Sequence, residues 1–319
     1  MIIRGSVRIL GDQIDTDQLA PYPFGETWDE TLKQIFPTNK EFVWSFSSGD
    51  IIVAGKNFGC GSSREPASAN MKSLGAAAIV ADSIARTFYR NCVSLGLPCV
   101  VCPGIGNICA SGDVIEIDLT NGKIKNISTD VEIDFTQNGN VVSSILSTNG
   151  LSDNIGKFLS APMVSNPFSV HQTTQTMAEK VLARASGRKH VVPGEEIIAN
   201  VDRAVVIEFI VPCVDILDKA GIPSFWDPKK VSSVITLQYP APDPSVAELH
   251  KRMRNIAAEK NLSCFYGHAG IVNQVVVEKG DILPGQLVVG TDSHSTTYGV
   301  MGAAGTGLGI TDMAQVLAT

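Results

Sequence analysis

The chain has 319 residues, 44% hydrophobic and 18% charged, which excludes a disordered or charge-rich solenoid protein and predicts about two domains. A net charge of −7 and a pI near 5.3 leave no basic footprint for nucleic acid or an anionic membrane surface. Seven cysteines without a secretory leader predict free thiols or metal ligands rather than a disulfide framework, in a cytoplasmic protein. The longest uncharged stretch, Asn91–Gly112, is interrupted by Gly96, Pro98, Pro103, Gly104 and Gly106, so no membrane span is predicted.

From Ile2 to about Leu159, short β-rich runs alternate with helical ones. Strands are predicted at Val7–Leu10, Asp50–Ala54, Ala76–Ala81, Cys99–Cys102 and Val114–Leu119, and helices at Glu65–Leu74 and Ser83–Leu95. This predicts a mixed α/β domain over residues 1–160. The segment Ser160–Ser169 carries two prolines, three serines and no charge, which marks residues 161–171 as a linker before a second domain at 172–319. There, TMAEKVLARASG predicts a helix closed by Gly187, and Val231–Gln238 a buried strand. The run 244–260 predicts an amphipathic helix opened by Pro244 and capped by Asp243. Leu283–Ser295 reads as a strand running into a polar turn, and Thr311–Thr319 as the first turns of a helix. The apolar stripe still running at Thr319 predicts that this domain is incomplete, its partner surface lying on another chain or lost.

Gly55–Glu65 (GKNFGCGSSRE) follows a strand and enters a helix. Its glycines let backbone approach a ligand, the helix start offers unpaired N–H groups, and Arg64 can pair with a carboxylate through two parallel hydrogen bonds. A serine hydroxyl in that positive field could exchange protons with a carbon acid; a tight turn with a serine N-cap would leave the same string. A second polar cluster, Gly290–Gly299, lies at the end of the strand Leu287–Val289, where ligands bind in α/β domains. Asp292 could orient His294 and the hydroxyls could bind oxyanions, with a hydrogen-bonded loop as the alternative.

Together these strings resemble the aconitase superfamily, on its isopropylmalate isomerase (3-isopropylmalate dehydratase) branch. Residues 1–159 are similar to the small, swivelling subunit through Asp15-Thr-Asp17, NFGCGSSRE at 57–65, Phe88-Tyr-Arg-Asn91 and Gly96-Leu-Pro98. Residues 176–319 are similar to the opening part of the large subunit through TMAEKVLARASG, PGEEIIANVD, the PAPD of 240–243, PGQLVVGTDSHSTTYG and TDMAQVLAT. The resemblance implies an α/β fold class: an aconitase-type swivelling β/β/α domain followed by a partial α/β/α large-subunit domain. It implies dehydration and rehydration of a hydroxy di- or tricarboxylic acid. It also implies a [4Fe-4S] cluster whose cysteine ligands are missing from these residues, which leaves either a cluster bound through a partner or no cofactor. The implied partners are the small carboxylic acid and either a second chain carrying the rest of the large subunit or further copies of this chain. By motif match Ser62 or Ser63 is the catalytic base and Arg64 holds a substrate carboxylate, while Asp17 and Arg90 fall in segments that line the same cleft. Asp292, Ser293 and His294 match the family's Asp-Ser-His turn, and Asn273 joins the substrate-binding candidates.

Four departures fall on positions the family uses for chemistry. Thr236 and Leu237 stand where it has an Asp-His pair, and Asn273-Gln274 where it has His-Gln, with Glu278 kept. Pro66 replaces the histidine of a Ser-Arg-Glu-His string, and Ile207-Glu208 replaces a His-Asp or His-Glu pair. These losses support an alternative: a cluster-free relative that binds carboxylates or serves assembly without catalysis. Cys99 and Cys102, three apart on a strand, point to opposite faces and so form no metal site. Cys60 alone among the thiols is expected to face the cleft. His171, His190 and His250 are expected at the surface, and His268 in a loop near the site. Phe24, Trp28, Trp44 and the string Tyr22–Glu26 match no specificity loop.

Overall fold

The computed structural model describes residues 1–21, 35–36, 39–151, 155 and 174–319. The linker 161–171, His171, Phe24, Trp28 and the string Tyr22–Glu26 lie outside the described residues. The chain divides into two compact units, Met1–Asp153 and Asn154–Thr319. Both are mixed α/β, the fold class the sequence predicts.

Unit 1 is built on a seven-stranded sheet in the order β4-β3-β2-β1-β5-β6-β7. Strands β1 (Ile2–Ile9), β2 (Ile51–Ala54), β3 (Ala78–Ala81) and β4 (Cys99–Val101) run parallel. Strands β5 (Val114–Asp118), β6 (Lys123–Asn126) and β7 (Val131–Asp134) continue the sheet antiparallel. The unbroken apolar runs of β2 and β3 are buried on both faces, as parallel strands require, whereas β5 alternates. Ile52, Met71, Ile79 and Phe88 pack on one side of the sheet, and Val7, Val53, Val80 and Ile117 on the other. Among the described residues four helices accompany it, α1 (Thr16–Leu19), α2 (Lys40–Ser45), α3 (Glu65–Ser73) and α4 (Arg86–Ser94), with α5 (Asn140–Ser147) near the end of the unit. The helix predicted from Ser83 starts only at Arg86, because Ser83 and Ile84 are tied to the glycine-rich loop. Phe58 N–H donates to the Ser83 carbonyl at 3.0 Å, Asn57 N–H to the Ser83 hydroxyl at 2.8 Å, and Ile84 bridges to Phe58.

Unit 2 carries a five-stranded sheet in the order β10-β9-β8-β11-β12, parallel throughout. Its strands are β8 (Arg203–Val206), β9 (Val231–Ser233), β10 (Cys264–Phe265), β11 (Leu287–Gly290) and β12 (Ala304–Gly307). Its helices are α6 (Met177–Ala185), α7 (Ile210–Lys219), α8 (Pro244–Glu259), α9 (Val272–Glu278) and α10 (Ile310–Ala318). A capping box between Thr176 and Glu179 opens α6, and the Asp243 carboxylate caps α8 by accepting from Val246 N–H at 2.9 Å. The strand predicted over Val231–Gln238 stops at Ser233. Beyond it the backbone turns to other partners: Ile235 N–H bonds the Gly267 carbonyl, and Thr236 and Leu237 N–H bond a carboxylate. Among the described residues, no helix is long and apolar enough to cross a membrane.

Candidate functional site

In unit 1 the loops leaving β1, β2 and β3 meet at the carboxyl ends of these parallel strands, where open α/β sheets bind ligands. Thr16 N–H donates to the Cys60 carbonyl at 2.8 Å, Gly59 N–H to Ile14 at 2.7 Å, and the Thr16 hydroxyl to the Ser62 carbonyl at 3.1 Å. These bonds bring the Asp15-Thr-Asp17 string and the NFGCGSSRE string, over forty positions apart, into one surface. Arg64 links the two: its Nη1 lies 2.5 Å from Asp17 Oδ1 and donates to the Ala20 carbonyl at 3.0 Å. Asp17 is therefore an ion-pair partner of Arg64, placed to orient the guanidinium.

The two serines differ. Ser62 is exposed, whereas the Ser63 hydroxyl is buried and has no hydrogen-bond partner. Neither is an N-cap; the residue at the start of α3 is Arg64, without a side-chain cap. An unpartnered buried hydroxyl costs free energy until something supplies a donor or acceptor, and in this the two serines differ. Arg90 lies half-buried on α4, which packs beside α3.

In unit 2 the carboxyl edge gathers a second set. Asp292, just past β11, caps a 3-10 helix over Ser293–Met301: its Oδ1 accepts from His294 N–H at 2.5 Å and lies 3.1 Å from His294 Nδ1. His294 is 79% exposed, so its remaining ring nitrogen is open to solvent. Ser293 is exposed. Asn273, in the first turn of α9, has a buried Oδ1 without a partner.

Two features of this edge escape the sequence reading. Glu208, just after β8, is buried, and its Oε1 accepts from Thr236 N–H at 2.8 Å and Leu237 N–H at 2.6 Å. His250 is also buried, at 4% exposure, contrary to the surface position expected for it. Its ring lies on the inward stripe of α8 with Met253 and Ala257, at spacings of three and seven. That spacing was the available signal. Its Nε2 lies 3.2 Å from the Leu237 carbonyl and 3.9 Å from Glu208 Oε1. His268 lies in a turn, is exposed, and stacks on Tyr239 with ring centroids 4.2 Å apart. His190 is exposed.

The sequence matches the profile of the Aconitase family (aconitate hydratase) over residues 156–319, just over half of the chain, and that of the Aconitase C-terminal domain over 26–103. The chain belongs to the aconitase family. It is 43% identical over 153 residues to the 3-isopropylmalate dehydratase small subunit 1 of Methanopyrus kandleri, covering 47% of this chain and 90% of that protein. It is 43% identical over 147 residues to the large subunit 1 from the same organism, covering 46% of this chain and 35% of that protein. The crystal structure of a 3-isopropylmalate dehydratase from Methanocaldococcus jannaschii aligns with a TM-score of 0.46 at 34% identity, over 50% of this chain and 96% of that one. This member of the aconitase family thus spans nearly all of a small-subunit relative and about a third of a large-subunit one.

The family implies a [4Fe-4S] cluster, held by cysteine thiolates. The thiols of this chain do not fit one. Cys92 and Cys99 belong to one core layer of unit 1, and Cys102 and Cys109 to the opposite one. Burial pushes the Cys102 and Cys109 thiols up to about 11, away from the thiolate a metal needs. Cys213 is buried in unit 2, and Cys60 and Cys264, the two half-exposed thiols, lie in different units. Among the described residues no three His, Cys, Asp or Glu side chains form a metal-binding group.

Proposed function

We propose that this chain is a component of an aconitase-type hydro-lyase that dehydrates and rehydrates a small hydroxy dicarboxylic acid of the 3-isopropylmalate class. Its partner is a second chain carrying the rest of the large-subunit sequence. The observation that carries the reading is the loop cluster of unit 1. A buried, unpartnered Ser63 hydroxyl stands next to an oriented arginine, within residues similar to 3-isopropylmalate dehydratase small subunits. Ser63 rather than Ser62 takes the part of the base. The adjacent guanidinium favours the alkoxide electrostatically while binding a ligand carboxylate. Arg90 adds a second positive charge for the other carboxylate. In unit 2, Asp292 fixes the imidazole of His294 through Nδ1, which leaves Nε2 to carry a proton. On that surface of unit 2, taken by itself, Ser293 and Asn273 offer further hydrogen-bonding groups.

Calorimetric titration of the full chain with 3-isopropylmalate is expected to show saturable binding. Arg64→Lys removes the planar fork and should weaken it by about 1–3 kcal/mol. No binding by the wild-type chain, or unchanged affinity in the variant, would sink the assignment of this surface.

A further inference from the structure

The buried pair Glu208 and His250 has no part in the reading above, yet it holds a conspicuous piece of the carboxyl edge of unit 2. Past β9 the backbone of Thr236 and Leu237 is gripped from both sides. Glu208 Oε1 takes both N–H groups, and His250 Nε2 lies at hydrogen-bond distance from the Leu237 carbonyl. The Thr236 hydroxyl adds bonds to Gly270 and Val272, which lead into α9. The side chains this backbone presents are outside: Leu237 is 43% and Tyr239 53% exposed, and the Tyr239 ring lies over His268 at an interplanar angle of 9°.

The two oxygens of Glu208 are unequal. Oε1 has two donors, while Oε2 is buried with none. An ionised carboxylate in this setting leaves half its charge unsolvated, a large cost in a buried site. A proton on Oε2 removes that cost and leaves Oε1 as a carbonyl oxygen still accepting both N–H bonds. We propose that Glu208 is a positioning residue whose proton latches the segment Thr236–Pro240: as a neutral acid it holds the segment and the Tyr239–His268 stack at the edge, and ionisation lets them go. On ionisation the Oε2 proton passes to water, and the carboxylate gains hydration only if the segment moves aside.

His250 on α8 lies 3.9 Å from Glu208 Oε1, the Tyr239 ring lies between those of His250 and His268, and Thr291, next to Asp292, binds Ile207 N–H through its hydroxyl. Burial pushes the Glu208 carboxyl up, opposed by the N–H groups of Leu237, of Glu208 itself and of Thr236, and by the charge of His250. A raised value means that the latched state is favoured below the ordinary carboxyl range and lost as pH rises through the folded value.

The latch regulates the edge read above as ligand-binding, so it rests on that reading for its use; NMR of the ligand-free full chain separates the two. The Thr236 and Leu237 amide signals should follow a one-proton curve with a midpoint above the ordinary glutamate value of about 4.3. The contact between the Tyr239 and His268 rings should weaken through the same midpoint. In Glu208→Gln, whose amide oxygen still accepts both N–H bonds, the ring contact should persist at every pH and the step should vanish. The same step in Glu208→Gln, or a ring contact of equal strength on both sides of the midpoint in the wild type, would overturn the latch. So would a Glu208 carboxyl carbon titrating at the ordinary value in labelled wild-type protein, a measurement that needs no variant. If 3-isopropylmalate fails to bind while the step is present, the proposed function falls and the latch stands.

Discussion

Arg64 leaves α3 already engaged with Asp17 and the Ala20 carbonyl, so an incoming carboxylate must displace Asp17 or use the free edge of the guanidinium. The loop that places it depends on a glycine. At Gly59 φ is +73°, and a Cβ there would lie 2.2 Å from Cγ of Phe88. Phe88 cannot yield: it is 2% exposed and packs edge-on against Phe58 with centroids 5.3 Å apart. At Gly112 φ is +90° with open space around the missing Cβ, so alanine there meets only backbone strain, about 1–2 kcal/mol. Gly59→Ala adds overpacking to the same strain and should cost a further 1–3 kcal/mol or so. Urea denaturation of both variants measures the difference, and equal losses would show that the Phe88 contact is not rigid. The string around Gly59 could be recognised in the sequence because its parts are contiguous. The ion pair of Arg64 with Asp17 could not, because it depends on two loops leaving neighbouring strands. His250 shows the opposite failure: its polar type outweighed its position on the buried stripe with Met253 and Ala257.

At the scale of elements, apolar pattern decided what was legible. Strands β2 and β3 and helices α3, α8 and α10 lie where continuous or periodic hydrophobic runs put them, to within a residue or two. The hairpin β6–β7 is not among the predicted strands, because charged residues leave KIKN and VEID without an apolar run. Their order comes from pairing with β5 and from bonds such as Lys125 to Asp130 at 2.6 Å. Caps were legible as well, and the one on α8 carries a pH signature. The Ser245 hydroxyl and Val246 N–H both bond the Asp243 carboxylate and hold it below the usual range. A depressed value stabilises the fold above the unfolded carboxyl value, and that contribution is lost as pH falls through the folded one. Asn caps almost as well as Asp but does not titrate. The stability difference between wild type and Asp243→Asn, from denaturation midpoints, should therefore shrink as pH is lowered from about 6 towards about 3. A difference independent of pH would mean that the carboxylate is not the capping species.

At the scale of the whole molecule, each unit contains its own closed set of cores. Ile52, Ile79 and Phe88 with Val53, Val80 and Ile117 belong to unit 1, and Val206, Leu217, Met253 and Met313 to unit 2. Among the described residues, neither sheet takes a strand from the other unit. Unit 1 also matches most of a small-subunit relative, since the alignment of 153 residues covers 90% of it. A unit that buries its apolar faces internally meets the requirement for folding alone. Residues 1–153 produced by themselves are therefore expected to unfold in one cooperative transition, at the temperature of one of the transitions of the full chain. Scanning calorimetry of both proteins provides the comparison. Because the sheet interior is complete, heat absorbed by the isolated unit should scale with its length, at about 0.7 kcal/mol per residue near 60 °C. A broad transition far below that enthalpy would show that unit 1 draws its packing from the rest of the chain, and the two-unit organisation would have to be abandoned as a folding unit division.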